Sequence, residues 1–480
     1  MNTSGWESTD LFCGAGGSGI GASAAGIRLV MAANHSAIAI DTHSTNFPDT
    51  EHDQADISQV DPRRYRRTHF LWASPECTSH SGAKGAKHAA QLDLFTAPDP
   101  VAERSRATMW DVPRFTECHR YQMVIVENVI EAARWEMWPA WLHAMRCLGY
   151  AHRVVSLNSM HAPGENAPRA PQSRDRIYVV FWRAGCVAPD LDLRPPAWCA
   201  ACGREVTAVQ WWKPGRAVGR YRAQYLYRCG TCRDVVEPYA LPAAAAIDWT
   251  VPGRRIGDRD RPLKPATLAR IRAGLQRYAT VLQLVPAGGT WNVSTSPVLD
   301  PMRCRTSRET EGLLIPLEAR EGKHAAPSWA PMRTQTARHE TALVVPCAST
   351  GVAHPTSDPL PGQPTRDQLG IAFIAELRGG GSSTRPVTRP LATVTASGNH
   401  HMLIRDTPTP APGPRAVPAV EDCTFRMLQV GEIQAAMAFD PTYLIKGTKR
   451  EQVAQLGNAV TPCASEWLYR RCIAALERAR

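Results

Sequence analysis

No apolar run in this sequence approaches the roughly 20 residues that a membrane-spanning helix needs, and no basic segment leading into a short apolar stretch opens it as a secretory leader would. Both absences lead us to expect a cytoplasmic protein with no membrane partner. Closely spaced cysteines are few. Of 14 cysteines, all but one set are scattered, which argues against a disulfide framework and for a reducing compartment. Acidic residues run short of basic ones, 44 against 55, leaving a net charge of +11. A polyanion is the expected partner, nucleic acid first. The glycine-rich run at residues 13–19 is not followed by the Gly-Lys-Ser/Thr of a phosphate-binding loop. What remains is an ordinary globular composition, 44% hydrophobic and 21% charged over 480 residues, long enough for two or three domains.

Residues 1–185 alternate strand-like and helix-like segments. Residues 8–12 read as a short strand running into the glycine-rich turn, and then a helix. Ile20, Ser23, Ala24 and Ile27 stand at i, i+3, i+4, i+7, which predicts its core-facing stripe. Further strands are expected at 29–34, 68–72, 123–128, 153–157 and 176–182. A helix with Trp141, Leu142, Met145 and Leu148 on one face should stop at Gly149. This alternation predicts a doubly wound, Rossmann-like α/β domain. After residue 185 proline, glycine, arginine and threonine rise. A weak repeat at 301–306, 331–336 and 390–395 leads each time to an apolar run, at 313–315, 343–345 and 402–404. A smaller, irregular β-rich domain is expected there. Residues 407–420, rich in proline and alanine, read as a linker, and Thr461-Pro462 is a good start for a final helix.

Two sites carry chemistry by residue type. Cys77 follows the strand at 68–72 and the turn-making Pro75, which places it where open α/β sheets hold their active residues. Read alone it is as easily a half-buried structural cysteine. Asp56, at the end of a strand candidate, suits either a ligand amino group or a helix cap. Cys199, Cys202, Cys229 and Cys232 form two Cys-x-x-Cys knuckles with the ligand set of a structural zinc ribbon. Between the knuckles lie Trp211, Trp212, Lys213, Arg216, Arg220, Tyr221, Arg222, Tyr225, Tyr227 and Arg228. Aromatics interleaved with arginines suit phosphate contact and base stacking, or a hairpin packed against the ribbon.

Taken together, Asp10–Gly17, Pro75–Cys77 and Glu127-Asn128-Val129 resemble the DNA (cytosine-5) methyltransferases of bacterial or phage type, with a zinc ribbon inserted in the target-recognition region. Three further segments match in order. Gln172-Ser173-Arg174-Asp175-Arg176 is similar to the family's QxRxR motif, residues 389–395 to the segment closing its recognition domain, and Gln455–Val460 to its GNAV motif. The resemblance covers about residues 5–183 and 385–475. It implies a catalytic domain over 1–185, a zinc-ribbon insertion over 186–245, a target-recognition domain over 246–405, a linker over 406–420 and a segment over 421–480 that completes the catalytic domain.

The implied reaction is methylation of a cytosine flipped out of double-stranded DNA, by a monomeric enzyme of the kind found in restriction–modification. Cys77, as thiolate, attacks C6. Glu127 holds the N3 and amino edge, and burial at a strand end favours its protonated form. Arg176 contacts the base and Arg174 supports the site. A base then removes the C5 proton and elimination frees Cys77. S-adenosylmethionine lies over Gly14, Ala15, Gly16 and Gly17 with Phe12 against the adenine. Asn34, His35, Asp56, Ile57 and Ser74 also line the cofactor, and Asn458 and Val460 close its methionine end. Lys84, Lys87 and Gln172 face the DNA. The sequence departs from the family at Glu76, where proline is usual, at Thr78, where glutamine is usual, and at His35, where a glutamate binds the ribose hydroxyls. An RNA cytosine methyltransferase and a catalytically silent, zinc-dependent DNA-binding protein on the same fold stay open as alternatives.

Overall fold

A computed structural model describes residues 5–76, 107–263 and 419–479, and between 264 and 406 a few helical residues and short strands. The chain divides into two units, one of residues 1–248, 388–400 and 428–480, the other of 249–387 and 401–427.

The first unit is built on a seven-stranded sheet in the order β3-β2-β1-β4-β5-β8-β6. These strands are β1 (Glu7–Leu11), β2 (Arg28–Asn34), β3 (Glu51–Gln54), β4 (Phe70–Ala73), β5 (Met123–Asn128), β6 (Tyr150–Asn158) and β8 (Asp175–Arg183), with the short β7 (Gln172–Ser173) between the last two in sequence. The first five sheet positions are parallel, and β8 runs antiparallel to both β5 and β6. The order reverses between β1 and β4, and open α/β sheets bind ligands at such a switch point. Central strands are buried on both faces. Trp72, Ile125, Tyr178 and Val180 meet Trp467, Leu468 and Tyr469 of the helix Pro462–Glu477. On the other face Leu71, Val124, Val179 and Phe181 meet Phe115, Trp141 and Met145. The doubly wound reading is therefore correct. The antiparallel β8 adds what alternation of elements does not specify.

Helix α1 (Gly17–Ala24) corrects one expectation. Of the expected stripe only Ile27, just beyond the helix, is in the core; Ser23 is exposed, Ile20 and Ala24 are only half-buried, and the buried residues of the helix are Gly17, Ser18, Gly19, Gly21 and Ala22. Small residues win because the C-terminal helix sits against that face. A Cβ at Gly17 would stand 1.9 Å from the Val460 carbonyl oxygen, and one at Gly21 would stand 1.8 Å from Ser465 Oγ. Gly17→Ala is accordingly expected to lower stability by about 1–3 kcal/mol, since backbone cannot yield as a flexible side chain can. An unchanged thermal midpoint for this variant would contradict the close packing.

The zinc-ribbon segment forms a four-stranded antiparallel sheet, β12-β11-β10-β9, from β9 (Pro196–Cys199), β10 (Arg204–Trp212), β11 (Tyr225–Cys229) and β12 (Val235–Val236). Its inner face carries Ala197, Val206, Ala208, Tyr225, Tyr227 and Val236, all buried. It docks on β6 and β8. Gln210 Nε2 donates to the Ser156 carbonyl at 3.0 Å, Gly219 N to Ser156 Oγ at 3.2 Å and Tyr221 N to Asp175 Oδ1 at 3.0 Å.

The second unit is β-rich. Arg254–Arg255, Cys423–Met427, His401–Asp406, Ala372–Glu376 and Thr384–Pro386 lie in that order in one antiparallel sheet. Gln283–Pro286 pairs with Ser296–Pro297 and Glu311–Leu314 in another. Two of the three apolar runs of the repeat are thus in strands. The copies at 301–306 and 331–336, the run at 343–345 and most of the linker lie outside the described residues. Among the described residues no helix is long and apolar enough to cross a membrane.

Candidate active site

Of the residues singled out from the sequence, Phe12, Gly14–Gly17, Asn34, His35, Ser74 and Glu127 lie at the C-terminal ends of β1, β2, β4 and β5. After β1 the chain turns sharply. Phe12 has φ +62°, Gly14 +50° and Gly16 +88°. Phe12 N and Cys13 N both donate to the Ala33 carbonyl, at 2.8 and 3.3 Å, pinning the turn to the end of β2. Gly14, Gly16 and Gly19 stand at the Gly-x-Gly-x-x-Gly spacing of nucleotide-binding turns. At the end of β2, Asn34 Oδ1 accepts from Ser36 N at 2.9 Å. Asp56 caps a short 3₁₀ turn by accepting from Ser58 N at 3.2 Å, and Ile57 is buried in the core.

His35 and Glu76 meet. His35 Nδ1 lies 3.6 Å from Glu76 Oε1, with both side chains partly open to solvent. Two of the three departures noted in the sequence are therefore one local arrangement. A carboxylate remains beside the end of β2, carried by residue 76 instead of residue 35.

On the other side of β4, the site is tied together by hydrogen bonds between distant segments. Ser74 N donates to the Leu11 carbonyl at 3.1 Å, and Trp72 Nε1 to Ser74 Oγ at 3.0 Å. Asn128 Nδ2 donates to the Pro75 carbonyl at 3.3 Å. The described chain ends at Glu76, so Cys77, Lys84 and Lys87 lie outside the described residues. Glu127 is buried at the end of β5, and Arg176 Nε contacts its Oε1 at 2.9 Å. Burial raises the Glu127 pKa above the ordinary carboxylate value, against the opposing pull of Arg176 and Arg174. The pair can thus present a carboxyl group able to donate as well as accept.

Arg174 is fully buried and faces elsewhere. Its Nη2 donates to the carbonyls of Gly457 and Ala459, at 3.0 and 2.9 Å, so the QxRxR segment holds the GNAV segment in place. Val460 is buried against α1, whereas Asn458 is exposed. Gln172 is fully buried, and neither polar atom of its amide has a partner among the described residues. β7, which carries it, pairs in parallel with Leu391–Ala392.

Two groups inside the quoted motifs were given no site role from the sequence. Asp10, just ahead of the glycine turn, is buried, and its carboxyl pKa is pushed up to about 7 by desolvation. Ser18 Oγ donates to Asp10 Oδ2 at 2.5 Å, while Oδ1 has no partner among the described residues. The signal available was an acidic residue at a strand end before a Gly-rich turn. Asp175, between the two arginines, is the second, and its partner on the ribbon was not legible at all.

The four ribbon cysteines converge. Their sulfur atoms all lie within 4.8 Å of one another, with Cys199 to Cys232 at 3.4 Å and Cys202 to Cys229 at 3.8 Å, and none is in a disulfide. Tetrahedral zinc with Zn–S bonds of about 2.3 Å requires sulfurs about 3.8 Å apart. Thr231 N and Cys232 N donate to Cys229 Sγ at 3.3 and 3.4 Å, as backbone amides do around a thiolate ligand. The cluster is compatible with zinc.

Residues 6–189 match the family model for C-5 cytosine-specific DNA methylases. No curated protein matches the chain. Similar solved structures include a DNA modification methyltransferase encoded within an E. coli prophage, 14% identical, covering 98% of this chain and 99% of that one with a TM-score of 0.42. Others are a Spodoptera frugiperda DNMT2 mutant, 10% identical over 97% and 99% with a TM-score of 0.46, and Entamoeba histolytica EhMeth, 11% identical over 98% of each chain with a TM-score of 0.45.

Proposed function

We propose, on the premise that residues 6–189 form a C-5 cytosine-specific DNA methylase domain, that the protein methylates cytosine in double-stranded DNA at specific sites, by base flipping and a covalent adduct on Cys77. The chemistry of this family is S-adenosylmethionine-dependent methylation of cytosine. The observation that carries the finer reading is the buried Glu127–Arg176 pair, 2.9 Å apart, with Glu127 at the C-terminal end of β5, the strand paired with β4.

Each residue has one task in this reading. Cys77 forms a bond to C6 of the extruded cytosine, which makes C5 nucleophilic. Glu127, whose protonated form is favoured by burial, donates to N3 as charge accumulates there. Arg176 holds Glu127 and the base edge. Arg174 anchors Gly457 and Ala459, and through them the wall formed by Val460. S-adenosylmethionine supplies the methyl group. The residues present fit it: a turn with three left-handed residues, a buried Asp10 oxygen ahead of it without a partner among the described residues, and polar groups at Asn34, His35, Asp56 and Glu76 around the strand ends. Glu76 stands in for the carboxylate that the resemblance places at residue 35. The test is transfer of labelled methyl from S-adenosylmethionine to duplex DNA and to tRNA, with base-resolution sequencing of DNA from expressing cells. Labelled tRNA without modified DNA would overturn the DNA reading.

Zinc belongs to the same proposal. One zinc per chain is expected by metal analysis, and Cys199→Ser should lose it. Methyl transfer should fall with it, because the ribbon turn at 219–221 holds Asp175 between Arg174 and Arg176. Full activity in zinc-free protein would sever this link.

A further inference from the structure

The ribbon sheet has two faces with opposite chemistry. Its tyrosines turn inward, where Tyr221 and Tyr227 meet His161 edge-on at 4.6 and 5.0 Å between centroids. They are core, and take no part in stacking on a base. The outward face keeps Val209, Trp211 and Val235 more than 40% exposed. Val209, Arg228 and Val235 lie side by side across β10, β11 and β12.

Arg228 and Arg233 both stand over the Trp211 ring, their Cζ atoms 4.7 and 5.8 Å from its centroid. The indole shelves the two cations, and their approach to one ring brings like charges together. Neither forms an ion pair among the described residues, whereas Arg220 and Arg222 of the same ribbon are paired with Glu131 and Glu237. The segment from 196 to 239 holds seven basic and three acidic residues. Along β10 the same face reaches Thr207, which with Thr231, Arg204, Glu205 and the ion-paired Arg194 lines an open cleft of about 480 Å³.

We propose that this outward face, with the Arg228–Arg233 pair on Trp211 as its centre, grips the sugar–phosphate backbone of duplex DNA. The inference rests on the DNA reading given above. Two unpaired guanidinium groups on one shelf present the donors and the charge that a phosphate takes up. Because they cover Trp211, the ring supports cations and is not a platform for a base. The contact is therefore indifferent to sequence: it adds affinity and register, and target choice lies elsewhere.

The experiment is a fluorescence anisotropy titration of short duplexes of different sequence with the full-length, zinc-loaded protein over a range of salt. Wild type is compared with the double variant Arg228→Gln/Arg233→Gln and with Trp211→Ala. The double variant should bind every duplex more weakly, and its slope of log affinity against log salt should be shallower by about 2. Trp211→Ala should lose about two- to five-fold, from the ordering of the arginines. Unchanged zinc content and circular dichroism show that the ribbon still folds. A salt slope equal to wild type, a loss confined to one duplex sequence, or a larger loss on duplex RNA than on duplex DNA would each overturn the proposal. Methyl transfer by wild type is measured in the same samples. If it is absent the enzymatic reading falls, while the salt slope still reports on the surface.

Discussion

Cys77→Ala protein is expected to bind duplex DNA and S-adenosylmethionine as wild type does and to transfer no measurable methyl group, a loss of about 10⁴-fold or more. Cytosine C5 is a poor nucleophile until a group adds at C6, so removing the sulfur removes the route and not merely a contact. A duplex carrying 5-fluorocytosine at the target should trap wild type covalently, because the adduct cannot shed fluorine as it sheds a proton. Cys13 serves as the internal control. It lies in the glycine turn, is buried, and its thiol pKa is raised well above the ordinary value by desolvation and by Asp10. A thiol held protonated is a weak nucleophile, so Cys13 should remain unmodified while Cys77 forms the adduct. Turnover by Cys77→Ala, or an adduct mapped to Cys13, would overturn the assignment.

The second large effect concerns Glu127. Glu127→Gln should lower turnover by about 10²–10⁴-fold, the span of a lost proton donor, with little change in affinity for DNA. The pH dependence follows from the direction of the shift. Burial raises the Glu127 pKa, so the protonated form persists above the usual carboxylate range and is lost as pH rises through the raised value. Turnover should therefore show an alkaline limb that disappears in Glu127→Gln. Arg176 opposes the shift, so Arg176→Ala should move that limb to higher pH while lowering the overall rate. A limb that stays in place in both variants would mean that another group titrates.

The His35–Glu76 contact bears on how departures from a family pattern are read. Taken singly, histidine in place of a ribose-binding glutamate and glutamate in place of proline each look like losses. Side by side at 3.6 Å they are one arrangement, in which a carboxyl group is kept beside residue 35. So exposed a pair contributes little to stability.

Much of the site was legible because the relevant signals are local. Strand β5 and Glu127 near its end follow from six residues of composition, and the cluster of four cysteines follows from their spacing. The turn after β1 follows from glycines at positions that must adopt positive φ. Periodicity was the right guide for the helix Trp138–Cys147, where Trp141 and Met145 are buried as predicted. In α1 it was the wrong one. There the buried stripe is set by what lies opposite, and a closely approaching helix selects glycine and alanine over isoleucine.

By itself, then, the sequence determined the alternation of strands and helices, the four closely spaced cysteines and the carboxylate at the end of β5, since each depends on neighbours a few residues away. Tertiary structure alone decided the pairings between distant segments. It set Arg174 under the carbonyls of Gly457 and Ala459, placed Glu76 beside His35, and brought Tyr221 N to Asp175 between the two arginines. It also buried Tyr221, Tyr225 and Tyr227 of the ribbon and left Trp211 outward, carrying two arginines. These contacts join residues far apart along the chain, and no local period or spacing encodes them. They exist because the parallel sheet and the returning C-terminal helix bring those segments together.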